Sequence, residues 1–150
     1  MNDCNVTKEE LESFLRSVDK DFPVPLSEKT ELSLLAEKLV EKADIFAKRV
    51  EDEVAGVAIG YVTNSFSEIS FLSIVAVKKK YRGLGVAKKV LANYLQAVQG
   101  AGRFYAADVY TKEENKIAVQ MYKSMGFVEY QIENEPRPND LHLIYYIEEK

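Results

Sequence analysis

Val75-Ala76-Val77-Lys78-Lys79-Lys80-Tyr81-Arg82-Gly83-Leu84-Gly85-Val86-Ala87-Lys88-Lys89 is the stretch on which the fold turns. Apolar residues lead into a run of cations and a Gly-x-Gly turn. Beyond it Val86, Val90, Leu91, Tyr94, Leu95 and Val98 recur at helical spacing as far as Gly100–Gly102. A strand therefore ends near Val77 and a helix starts after Gly85. Gly83 and Gly85 allow the backbone a close approach to a ligand, and the free amides and positive end of the helix point at the same spot. That chemistry suits a pyrophosphate, with Arg82 and its neighbouring lysines supplying charge. The same pattern also suits a tight turn whose lysines merely solvate a strand end.

Charge sharpens the reading. The chain has 150 residues and a formal charge of −4, but the 39 residues between Glu68 and Asp108 contain no carboxylate and carry +7. The remainder is therefore −11, and an anion is expected to sit at the middle of an otherwise acidic protein. Two well-known phosphate loops do not fit. A dinucleotide fingerprint needs a third glycine where Lys88 stands, and there is no Gly-x-x-x-x-Gly-Lys-Ser/Thr. A single cysteine (Cys4) and a single histidine (His142) cannot build a Cys/His zinc site or an intramolecular disulfide, so no metal is expected. The longest apolar runs, Val54–Val62 and Phe71–Val77, are too short to span a membrane, and Met1–Leu11 has no apolar segment. We expect a cytoplasmic protein with no membrane partner. A nucleic-acid partner is not expected either, because the cations converge on one turn and do not form a stripe with stacking aromatics.

Outward from that turn, one domain over residues 1–150 is expected. Thr7 and Glu10 form a capping-box pattern before a helix through Leu11, Phe14, Leu15 and Val18. Asp21–Ser27 reads as a loop held open by Pro23 and Pro25. A second helix runs to about Ala43 with the stripe Leu32, Leu35, Ala36, Leu39, Val40 and Ala43. Strands are predicted at Ile45–Val50, Val54–Thr63 and Glu68–Val77, joined as antiparallel hairpins by Glu51-Asp52-Glu53 and Asn64–Ser67. After the central helix come a strand at Arg103–Thr111, a short helix at Asn115–Met125, and strands at Phe127–Ile132 and Leu141–Glu148. The strand–helix–strand unit from Glu68 to Thr111 requires a parallel pair. The expected class is α+β, a mixed sheet with helices on both faces.

Two segments are similar to signatures of the GCN5-related N-acetyltransferases, the GNAT superfamily. Arg82-Gly83-Leu84-Gly85-Val86-Ala87 matches Arg/Gln-x-x-Gly-x-Gly/Ala, and Asn115 through Phe127 resembles Asn-x-x-Ala-x-x-x-Tyr-x-x-x-Gly-Phe, with a strand between them. Lys79 stands where proline is frequent, and the family's usual first strand is not evident in Met1–Val6. The resemblance implies a three-layer α/β/α domain whose mostly antiparallel sheet is splayed at the parallel pair. It further implies direct acetyl transfer from acetyl-CoA to a primary amine of a small molecule. A protein N-terminal or lysine acetyltransferase and a non-catalytic acyl-CoA-binding module are the alternatives.

The implied cofactor-binding residues are Val75, Val77, Arg82, Gly83, Gly85, Ala87, Lys88 and Asn115, with Asn115 bonding the pantetheine arm. Asn115, Ala118 and Tyr122 share one helix face at i, i+3 and i+7, and the resemblance makes Tyr122 the proton donor to the departing thiolate. For the general base Glu68, Asp108, Tyr110 and His142 are placed well, Asp108 being a carboxylate within an apolar strand. The family's acceptor site would border on Phe22–Leu26 and Asn134–His142. Oligomeric state stays open, a homodimer being compatible with the resemblance.

Overall fold

The computed structural model describes residues 6–22, 25–62, 69–101, 106–112, 116–129 and 140–146. Among these residues four α-helices and six strands follow in chain order: α1 (Lys8–Val18), α2 (Leu32–Lys42), β1 (Asp44–Val50), β2 (Glu53–Tyr61), β3 (Ile69–Val77), α3 (Val86–Ala101), β4 (Ala106–Lys112), α4 (Lys116–Ser124), β5 (Val128–Glu129) and β6 (Asp140–Tyr146). The expected capping box opens α1. The Glu10 amide donates to Thr7 Oγ1 and the Thr7 amide to Glu10 Oε1, both at 3.1 Å. Arg49 of β1 reaches the same Glu10 at 2.7 Å and holds its carboxyl down at about 2, so the start of α1 is tied to the sheet.

One six-stranded sheet runs in the order β1-β2-β3-β4-β6-β5. All neighbours are antiparallel except β3 and β4, the parallel pair that the crossover through α3 requires. That pair is short. Among the described residues its register covers Ile69–Leu72 against Ala106–Val109, after which β3 continues to Val77 and β4 to Lys112 without facing each other. The sheet is thus mixed, mostly antiparallel and splayed at its parallel pair, as expected.

Helices cover both faces. On one, Leu11, Phe14, Leu15 and Val18 of α1 and Ala36 and Leu39 of α2 pack on Ala47, Val54, Val57, Ile59 and Ile74. On the other, Val90, Leu91, Tyr94, Leu95 and Val98 of α3 pack with Phe46, Ala58, Leu72 and Leu143, and Tyr122 of α4 joins this cluster. Burying an aliphatic side chain of this size stabilises by roughly 1.5–3 kcal/mol, so the two clusters account for the sidedness of the fold. Gly56 sets how near α3 lies. A Cβ there would come within 2.5 Å of Val86 Cγ1, so the first turn of α3 rests directly on the backbone of β2.

Several boundaries differ from the sequence expectation. Glu53 begins β2 and is not a link residue, because Glu51 and Asp52 both take positive φ (54° and 64°) and complete the reversal alone. Val40 is not on the buried stripe of α2; it is 38% exposed. Gly100 lies inside α3, which continues to Ala101. The links and strand ends expected at Thr63–Glu68, Arg103–Tyr105, Tyr130–Ile132 and Ile147–Glu148, residues 134–139 of the loop expected at Asn134–Asp140, and Met1–Asn5 all lie outside the described residues; Asp140 begins β6 and is not a loop residue. Among those described, no helix is long and apolar enough to cross a membrane.

Candidate active site

The splay opens a cleft of about 500 Å³. Its floor is Val75, Ala76 and Val77 of β3. The turn and the start of α3 supply Tyr81, Arg82, Gly83, Gly85, Val86, Ala87 and Lys88. Ala118 and Met121 come from α4, and Val18, Asp21 and Phe22 come from the end of α1 and the 3-10 turn behind it. Seven of the eight expected cofactor-binding residues therefore line one cavity. Asn115 lies outside the described residues.

Backbone geometry gives the floor its chemistry. The Lys78 amide donates to Ala55 O at 2.8 Å, toward β2. Strand alternation then turns the amide and carbonyl groups of Val75 and Val77 to the opposite edge, which β4 no longer covers. Val77 shows this directly, its carbonyl accepting from Arg82 Nε at 3.2 Å. An uncovered strand edge of this kind pairs with an extended, amide-bearing ligand.

The turn at the cleft mouth has the chemistry that suits an anion. Lys79–Tyr81 form a 3-10 turn, and Gly83 and Gly85 take φ of 85° and 78° before α3 begins at Val86. Those angles are strained for any side chain with a Cβ. A Cβ at either glycine would meet nothing within 4 Å, so backbone conformation and not packing is what calls for these two glycines. The first amides of a 16-residue helix face the same place.

Two carboxylates from the acidic part of the chain fold onto this basic stretch, which the charge count alone did not reveal. Glu53 accepts from Lys78 Nζ at 2.5 Å, Lys80 Nζ at 2.8 Å and the Tyr81 hydroxyl at 2.8 Å. Hydrogen bonds from Lys78, Lys80 and Tyr81, in that order, hold its carboxyl at about 2. Asp21 Oδ2 accepts from a terminal nitrogen of Arg82 at 2.6 Å. Lys78 and Lys80 thus brace the turn, Glu53 offsetting one of their two charges. Lys79, Lys88 and Lys89 are exposed and carry no ion pair among the described residues.

Tyr122 lies just behind the wall. It is 5% exposed, packs on Phe127 with ring centroids 5.4 Å apart, and shares its cluster with the cleft residues Val75, Ala118 and Met121. Burial pushes its phenol well above the usual range, so it keeps its proton. Asp108 stands on β4 opposite Phe71 of β3, one residue before the two strands part. Tyr110 pairs with His142 in the β4–β6 ladder, away from that pairing, and Glu68 lies outside the described residues. Sequence reasoning missed Val18, Asp21 and Met121. Asp21 meets Arg82 across 61 positions, a separation no local pattern encodes; Met121 lay within a quoted motif but at one of its unspecified positions.

Residues 11–127 match the model of the acetyltransferase (GNAT) family. The chain belongs to that family. It is accordingly an N-acetyltransferase, with acetyl-CoA as its acetyl donor. Solved structures share the fold at low identity. A GNAT-family acetyltransferase from Staphylococcus aureus Mu50 superposes with a TM-score of 0.73 at 17% identity, over 94% of this chain and 93% of that one. The PaiA N-acetyltransferase of Thermoplasma acidophilum, in complex with coenzyme A, gives 0.74 at 12% identity over 94% and 95%. A Bacillus subtilis acetyltransferase in complex with CoA gives 0.62 at 16% identity over 75% and 82%. No curated protein sequence matches the chain.

Proposed function

We propose that this acetyltransferase acts on a primary amine of a small molecule, with the acetyl-CoA held along the cleft from Val75 to Lys88. The observation that carries the placement is the uncovered β3 edge running straight into the glycine turn at the start of α3. Amides of the turn and of the first helical turn, with Arg82 and the exposed Lys88, suit the phosphates. Gly83, Gly85 and the small Ala87 let them approach. The amide groups of Val75 and Val77 suit the pantetheine arm, as does Asn115. Acetyl-CoA supplies an acyl group already activated as a thioester.

The chain's own groups then have proton work to do. Tyr122, held protonated by burial, is the donor to the departing thiolate. Asp108, beside the fork, is the base that takes the proton of the incoming ammonium. The choice of a small, cationic amine rests on the acidic balance of the chain outside residues 69–107, which favours a positively charged acceptor.

A thiol-release assay over a panel of small amines, with lysine-containing and free-N-terminal peptides alongside, tests this reading. Turnover of at least one small amine above every peptide is expected, and turnover of peptides alone overturns it. In Tyr122→Phe, kcat should fall by roughly a hundredfold or more with KM for acetyl-CoA little changed, the range of a general acid. Equal rates would remove Tyr122 from the reaction.

A further inference from the structure

Arg82 is held at two points. Its Nε donates to Val77 O at 3.2 Å, and a terminal nitrogen donates to Asp21 Oδ2 at 2.6 Å. A guanidinium offers its donors as a planar fork that suits a carboxylate and a phosphate alike. We propose that Asp21 is a competing anion for the donor of Arg82 that a cofactor phosphate needs, so that cofactor uptake displaces Asp21. The inference rests on the placement of acetyl-CoA in this cleft given above.

Three features support an exchange in preference to a permanent brace. Both partners are well exposed, Arg82 at 48% and Asp21 at 40% of the side chain, so their bond is screened and weak. Nothing else anchors Asp21 among the described residues, whereas Glu53, on the other side of the turn, has three donors. The loop that carries Asp21 is also closed at its base. Asp19 accepts from the Ser27 amide at 2.9 Å and from the Ser27 hydroxyl, which anchors the chain two residues before Asp21 and leaves the exchange to the Asp21 side chain. Phe22, next along, lines the same cleft. Coupling of this kind is reciprocal: a phosphate that evicts Asp21 binds more weakly for having to do so.

Calorimetric titration of the full chain with CoA tests the proposal, with far-UV circular dichroism to show that each variant is folded. Asp21→Asn should bind CoA roughly two- to fivefold more tightly than wild type, the scale of an exposed ion pair. Asp21→Ser should do the same. In an Arg82→Gln background the gain should disappear, because the donor under competition is gone. Unchanged or weaker binding in both Asp21 variants overturns the proposal. So does an equal gain in the Arg82→Gln background, which would mean that Asp21 acts only through its general charge. If wild type itself takes up no CoA, the placement of the cofactor in this cleft fails and the competition falls with it. Binding by wild type without tightening in Asp21→Asn and Asp21→Ser overturns the competition alone.

Discussion

The two sides of the glycine turn use one kind of interaction for opposite purposes. On the β2 side, Glu53 gathers Lys78, Lys80 and Tyr81 into a closed cluster, with Lys78 only 15% exposed. On the α1 side, Asp21 takes a single bond from a half-exposed Arg82 that also lines the cleft. The first arrangement fixes the position of the turn; the second holds the outer end of Arg82 by one solvent-screened bond. The described cations of this stretch, alike in a charge count, thus differ according to which carboxylates reach them in space.

The sharpest way to break this division is Arg82→Ala. CoA affinity should fall by roughly tenfold or more, the scale of a lost charge-assisted hydrogen bond, while the melting temperature stays within a few degrees. A large fall in melting temperature would make Arg82 a brace like Lys78. Next in size comes Gly56→Ala, which places a methyl group against Val86. Overpacking of this kind costs about 1–3 kcal/mol, read as a lower midpoint in urea. Because Val86 opens α3, CoA should also bind less tightly.

Glu53→Gln gives the smallest expected effect and the most diagnostic one. At neutral pH the melting temperature should drop by a few degrees, with CoA affinity unchanged within about twofold. Its acid response should also change. The Glu53 carboxyl sits at about 2 in the fold, below its ordinary 4.5. Its contribution is therefore complete above 4.5 and is lost as the pH falls from there to about 2. Thermal melts across that window should show a shallower decline in Glu53→Gln than in wild type.

What could be read from the sequence followed from how local each cause is. The hairpins, the capping box, the helix after Gly85 and the parallel crossover depend on spacing, caps and glycines within a few residues of one another, and all of them are present. The family motifs likewise brought Val75, Val77, Arg82, Gly83, Gly85, Ala87 and Lys88 to one cavity. Asp21 and Glu53 were invisible because their partners lie 61 and 25 to 28 positions away. Only the layered packing of α1 and the β1–β2 hairpin against the turn brings them there. Val40 misled for the opposite reason. Its helical spacing was right, but it falls at the margin of the stripe whose centre Leu32, Ala36 and Leu39 occupy, and it is left 38% exposed.

The short register between β3 and β4 has a mechanical consequence. Main-chain pairing between the β1-β2-β3 half of the sheet and the β4-β6-β5 half amounts to four residue pairs among the described residues. The two halves meet along a seam at one end and diverge at the other, like the legs of a clothes-peg. A molecule lodged between the legs touches both, and acts as a splint across the joint. Its grip should then stiffen strands far from any atom it contacts, and slowed amide exchange at the β4–β6 ladder would be the trace it leaves.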